Sequence, residues 1–156
     1  MKKATRQKVF EKYNGLCAYT GKPLGEDWQV DHVTSKVKHK WETIYRCNSA
    51  EEIKEELKKV DDIDNLLPSI RIINHYKRSL DLEGFRKYMM NFHKRLAKLP
   101  KKTKVLKTQK RKEYLLKVAE LFNITSESPF SGKFYFQVTD HGSRDLSPTP
   151  YLLQGL

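Results

Sequence analysis

Cysteine is nearly absent from this chain of 156 residues: there are two, Cys17 and Cys47. A disulfide framework needs more, and a thiolate zinc site needs pairs at short spacing, so the sequence predicts neither. Both read as reduced thiols of a cytoplasm-like compartment. Missing too is any apolar run approaching the roughly 20 residues of a membrane span. The basic opening MKKATRQKVFEKYNG lacks the apolar stretch of a secretory signal. The expectation is a cytoplasmic protein with no membrane association. Acidic residues are absent from one long stretch: residues 86–112 hold twelve Lys or Arg and no Asp or Glu. The chain has 31 basic and 19 acidic side chains, so outside that stretch 19 face 19 and the net +12 resides in one segment. Solubility alone does not require such concentration; a focused basic patch suits an anionic polymer.

Hydrophobic residues make up 38% and charged residues 32%, polar for a globular chain but sufficient for a modest core. Residues 5–13 read as a short helix with Thr5 as N-cap, ended by Asn14-Gly15. Residues 17–24 form a tight turn broken by Gly21 and Pro23, and 27–30 a short strand with Asp31-His32 at its end. After a stretch of mixed character, Ser49 and Glu52 form a capping box that opens a helix over 51–60. Asn65 to Pro68 reads as a brief extended piece. Ser69 caps a helix over 70–79, and Asp81 or a residue near it caps another. In the latter, Phe85, Met89, Phe92, Leu96 and Leu99 recur as one apolar stripe up to Pro100. A helix over 109–122, a late strand over 132–138 and a loosely ordered tail over 140–156 complete the reading. Tyr19, Trp28 and Trp41 read as packing residues, and the acidic stretch 51–56 as a solvated face.

Four residues carry chemistry. Val30-Asp31-His32-Val33 is followed by Asn65-Leu66-Leu67-Pro68 and then by Asn74 in Ile73-Asn74-His75-Tyr76-Lys77. A neutral imidazole near its ordinary pKa of ~6.5 takes a proton at physiological pH. A carboxylate and an amide oxygen suit a hard divalent ion, which binds through one or two protein groups and keeps waters. Each element alone is weak, since Asn favours turns and Asp-His pairs are common in loops. Their joint order, the nine-residue interval from Asn65 to Asn74 and the hydrophobic flanks Val30 and Leu66 form the signal.

This pattern resembles the HNH (ββα-metal) endonuclease motif in an Asp-His, Asn, Asn version, over residues 6 to about 78. The resemblance implies an α+β fold: a small ββα-metal core with an N-terminal helix, an inserted helix and a helical C-terminal extension. It divides the chain into a nuclease core over 1–80, a basic extension over 81–139 and the tail. It implies an endonuclease hydrolysing phosphodiester bonds in DNA, expected double-stranded, and leaving 5′-phosphate and 3′-hydroxyl ends. The rival readings are a non-cleaving DNA-binding module of the same fold and an RNA-directed nuclease. His32 is the expected general base, Asn65 the residue that orients it, and Asp31 and Asn74 the ligands of one divalent ion, Mg²⁺ or else Mn²⁺. His75 is a weaker ligand candidate. Lys77 and the run Lys101, Lys102, Lys104, Lys107, Lys110, Arg111 and Lys112 are the expected phosphate contacts. Many such proteins carry two zinc-binding Cys pairs. Here those positions hold Cys17 and Thr20, then Ile70 and Ile73, so an apolar cluster and no structural zinc are expected. The 33 positions from His32 to Asn65 exceed a minimal hairpin, and the insert is a candidate contact for substrate or partner.

Overall fold

The computed structural model describes residues 1–139. Among them are seven α-helices and one two-stranded antiparallel sheet. The tail expected over 140–156 lies outside the described residues. No helix among the described residues is long and apolar enough to cross a membrane.

Helix α1 (Lys3–Glu11) starts two residues earlier than expected, with Lys2 at the cap position and no side-chain cap bond, so Thr5 is not its cap. It ends at Glu11, and the turn that follows carries Asn14 and Gly15, both at positive φ. A Cβ on Gly15 would stand 2.7 Å from the Phe10 ring, so no other residue fits there without displacement. The Cys17 turn closes through a backbone bond from Cys17 to Lys22 and docks on the sheet through Ala18 N–H to the Pro68 carbonyl (2.9 Å).

Strand β1 (Gln29–His32) pairs with β2 (Leu66–Ser69), placing Gln29 opposite Ser69, Asp31 opposite Leu67 and His32 opposite Leu66. The strand therefore lies two residues later than the sequence suggests, and Asp31 and His32 are its last two residues. Between the strands, α2 (Lys36–Arg46) and α3 (Ala50–Lys58) form an insert of two helices, where one was expected. Ser35 caps α2 through Lys38 N–H and Ser49 caps α3 through Glu52 N–H. Glu52 reaches back to Asn48 N–H, one residue before the position that a capping box prescribes.

Helix α4 (Arg71–Lys77) follows β2 through Ile70. Ser69 is not its cap: it closes β2, and its hydroxyl donates to the Ile70 carbonyl. Asp81 caps α5 (Leu82–Met90) by accepting Gly84 N–H at 2.7 Å. The stripe expected on one helix is divided at Asn91 between α5 and α6 (Phe92–Ala97). Phe85, Met89 and Phe92 are nevertheless fully buried, with Leu96 and Leu99 packed against them. Helix α7 (Leu106–Leu121) turns Leu115, Val118 and Ala119 inward, and the Tyr114 hydroxyl reaches the Ile72 carbonyl of α4.

The expected strand over 132–138 does not form. Tyr135–Gln137 is a turn of 3-10 helix. The backbone N–H groups of Tyr135 and Phe136 bond the carbonyls of Tyr19 and Ala18 in the Cys17 turn, which consumes the donors a ladder would need. Phe134 and Phe136 then close edge-on around Tyr19, at 5.3 and 6.0 Å between ring centres, with Phe85 at 5.7 Å. One apolar cluster thus runs from Cys17, Leu67 and Ile73 through Phe85 to Leu115 and Phe134, joining residues on both sides of the expected boundary at 80/81. Ile73 lies inside that cluster with Cys17, and Ile70 packs against it.

Candidate active site

Alternation along a strand sends Gln29 and Asp31 to one face and His32 to the other. Two rungs connect the first face to α4. Asn74 donates its Nδ2 to Gln29 Oε1 at 2.7 Å. One turn further along α4, the Lys77 ammonium meets both carboxylate oxygens of Asp31, at 3.2 Å (Oδ1) and 3.0 Å (Oδ2), and the His32 carbonyl at 3.2 Å. The Tyr19 hydroxyl donates to Asp31 Oδ2 as well. This pair is shut away from solvent, with 1% of the Lys77 side chain and 7% of the Asp31 side chain exposed. Burial, followed by the Asp31 carboxylate, pushes the Tyr19 hydroxyl well above its ordinary pKa, so it stays a donor.

The expected phosphate contact of Lys77 is therefore corrected. Its stem lies in the core and its charge is spent on Asp31, because β1 passes directly over the last turn of α4. His75 is exposed on α4 and meets none of these groups in either rung.

On the other face, His32 Nε2 lies 2.8 Å from Asp61 Oδ1, in the short 3-10 turn after α3. A carboxylate only accepts, so Nε2 is the donor in this contact, which in the neutral tautomer makes Nδ1 the basic nitrogen. Lys36, at the start of α2, holds the same carboxylate at 3.0 Å. The hydrogen bond from His32 and then that from Lys36 hold the Asp61 carboxyl below the usual range. Neither Asp61 nor Lys36 stood out in the sequence; Asp61 lies 29 positions from His32 within a run of acidic residues, and no spacing rule connects them.

Asn65 staples the start of the insert to its end. Its Oδ1 accepts Thr34 N–H (2.8 Å), and its Nδ2 donates to the carbonyls of Thr34 (3.1 Å) and Val60 (2.8 Å). Its own carbonyl accepts Val33 N–H at 3.0 Å, so the chain leaving His32 is fixed at two successive residues.

Among the described residues no cluster of three or more His, Cys, Asp or Glu is placed to hold a metal ion. A hard ion that keeps most of its waters does not need one. Asp31 on β1 and Asn74 on α4 supply a carboxylate and an amide oxygen from facing elements, and Asp31 already holds a cation, the Lys77 ammonium. In this structure both Asp31 oxygens are held by the Lys77 ammonium, and Oδ2 by the Tyr19 hydroxyl as well, while Asn74 bonds Gln29; an ion at Asp31 would have to displace Lys77. Lys101, Lys102, Lys104, Lys107, Lys110 and Arg111 are exposed around the start of α7, while Lys112 is half-buried with its ammonium on the Lys101 carbonyl. Helix α7 contacts α4, where the Tyr114 hydroxyl reaches the Ile72 carbonyl.

Comparisons with protein-family models, with curated proteins and with solved structures each find no match.

Proposed function

We propose that the chain is a metal-dependent endonuclease of the HNH kind, hydrolysing phosphodiester bonds in DNA. The observation that carries the reading is the placement of the four motif residues on a strand–strand–helix unit. Asp31 and His32 end β1, Asn65 precedes β2, and Asn74 stands on the helix that follows. His32, with its Nε2 proton fixed by Asp61, takes the proton of an attacking water at Nδ1. Asn65 holds the backbone that presents the ring. Asp31 and Asn74 would hold the divalent ion, which when bound supplies charge for the phosphate and the departing 3′-oxygen. The products are a 5′-phosphate and a 3′-hydroxyl. The exposed lysines at the start of α7 hold the DNA backbone without reading sequence.

One observation favours a second reading, a DNA-binding module that does not cleave: the Lys77 ammonium already neutralises Asp31. Cleavage of supercoiled plasmid by wild type and His32→Ala, each with Mg²⁺, Mn²⁺ or EDTA, separates the two. Metal-dependent nicking by wild type alone supports the enzyme. Equal activity of the two proteins overturns the role of His32, and salt-sensitive binding with no cleavage by either selects the module. Preference for RNA when an RNA substrate is offered in parallel would redirect the reading to an RNA-directed nuclease.

A further inference from the structure

Helix α2 displays a row of apolar side chains to solvent. Val37, Trp41, Ile44 and Tyr45 are all exposed, Trp41 at 55% and Tyr45 at 84%. At 100° per residue they form one stripe, with Lys38 on one side and Lys36 and Lys40 on the other. The opposite side of α2 meets α3 through His39 Nε2 to the Glu56 carbonyl, buried Thr43, and Arg46 to Glu56. The acidic helix is thus behind α2, away from the stripe. The Trp41 and Tyr45 rings lie 6.3 Å apart with 30° between their planes. Beside them is a surface depression of about 690 Å³ lined by Lys38, Trp41, Glu42, Tyr45 and Arg46. The sequence reading of Trp41 as a packing residue is overturned by this exposure.

We infer that the Trp41–Tyr45 face of α2 is a stacking platform for unpaired bases of the nucleic acid strand held at the candidate active site. Two observations select this occupant. Of the lysines on its borders, Lys36 is held by Asp61 and Lys38 by Asp81 and Glu42, and Lys40 adds positive charge beside the rings, which complements a phosphate backbone. The stripe is also continuous with the site: Lys36, in the first turn of α2, binds the Asp61 carboxylate that holds His32. Base–aromatic stacking tolerates any sequence but needs bases out of the duplex stack, so the platform favours single-stranded or frayed segments over blunt duplex. The inference rests on the nuclease reading for its partner class, and its test does not require cleavage.

The protein for the test carries His32→Ala, which blocks turnover, and Trp28→Phe, which leaves Trp41 as the sole tryptophan. It is titrated in EDTA with a 20-nucleotide oligothymidylate and, separately, with a blunt hairpin duplex. Trp41 fluorescence is expected to be quenched by the single strand. Tyr45→Ala is expected to weaken single-strand binding by about tenfold or more, with less than a twofold effect on the duplex. Trp41→Ala is followed by anisotropy of a labelled strand, with the same expectation. Both side chains are exposed, so folding is checked simply by unchanged thermal midpoints. Single-strand binding without quenching, or equal losses on both nucleic acids, overturns the platform. Concentration-dependent dimerisation abolished by Trp41→Ala overturns it in favour of a self-association surface. The plasmid assay stands apart: quenching without cleavage by wild type sinks the nuclease and keeps the platform, and cleavage without quenching does the reverse.

Discussion

Replacing Lys77 by Met keeps the length of the stem and removes the ammonium. In the wild type that ammonium meets both oxygens of Asp31 and the His32 carbonyl, at 3.0 to 3.2 Å. The variant leaves a carboxylate buried with only the Tyr19 hydroxyl to hold it. Removing one partner of a buried pair costs about 3–5 kcal/mol, because the remaining charge is neither solvated nor matched. That is a large share of a total of roughly 5–15 kcal/mol. At this chain length each kcal/mol moves the melting temperature by roughly 2–4 °C, so Tm should fall by about 6–20 °C. Replacing both partners, Asp31→Leu with Lys77→Met, should recover most of the loss, since apolar groups of similar volume often substitute for a buried pair. Urea denaturation followed by circular dichroism reads both variants. The metal reading adds a second arm. Once the ammonium is gone, the Asp31 carboxylate keeps only the Tyr19 hydroxyl and is open to Mg²⁺, and an ion at 100 times its Kd restores about 2.7 kcal/mol. Mg²⁺ should therefore raise the midpoint of Lys77→Met more than that of wild type. A loss below about 1 kcal/mol in the single variant, or additive losses in the double, would falsify the pairing argument. A midpoint indifferent to Mg²⁺ in Lys77→Met would remove Asp31 from the ligand set.

Further outcomes follow from other contacts. Asp61→Asn should leave the fold intact and slow cleavage by roughly 10- to 100-fold, as loss of a partner that orients a working side chain does; an unchanged single-turnover rate would show that His32 does not depend on it. Stability should decline at alkaline pH. Burial raises Tyr13 to about 12 and raises Tyr19, Tyr76 and Tyr114 as well. Unfolded tyrosine ionises near ~10, so the stabilisation is complete below that pH and is lost as pH rises through the folded values. The urea midpoint should hold up to about pH 10 and drop between about pH 10 and pH 12, with phenolate absorbance rising in step with unfolding; a flat midpoint would contradict the burial. Replacing Lys101, Lys102, Lys104 and Lys107 together by Gln should weaken duplex binding and flatten its dependence on salt, by about 0.9 in log–log slope for each phosphate left without a lysine. An identical slope returns that segment to a solvated face.

How far the sequence reaches depends on how local the cause is. Ser49 and Asp81 are caps because a short acceptor side chain meets an N–H three residues on, which the sequence alone displays. Helix α2 escaped the reading because its apolar row faces solvent, so it announces no core. The alternation of Phe134 and Phe136 looks like a strand, yet among the described residues no strand pairs with it; burial against Tyr19 gives the same spacing another cause. Ser69 looks like a cap, but the ladder extends through it to Gln29. The stripe from Phe85 to Leu99 was legible as core even though the helix divides at Asn91, since burial follows the residues and not the continuity of the backbone.

By itself the sequence determined the order of the four motif residues, the concentration of positive charge after residue 86, and the positions of the principal turns. These depend on neighbours within a few residues. Which charge neutralises which was decided only by the tertiary structure. Lys77 lies 46 positions from Asp31, and Asp61 lies 29 from His32. The first pairing exists because β1 crosses the last turn of α4, the second because the insert folds back and Asn65 fastens its two ends. Coulomb attraction and hydrogen bonding act through space, over a few ångströms, and a linear sequence does not record that distance.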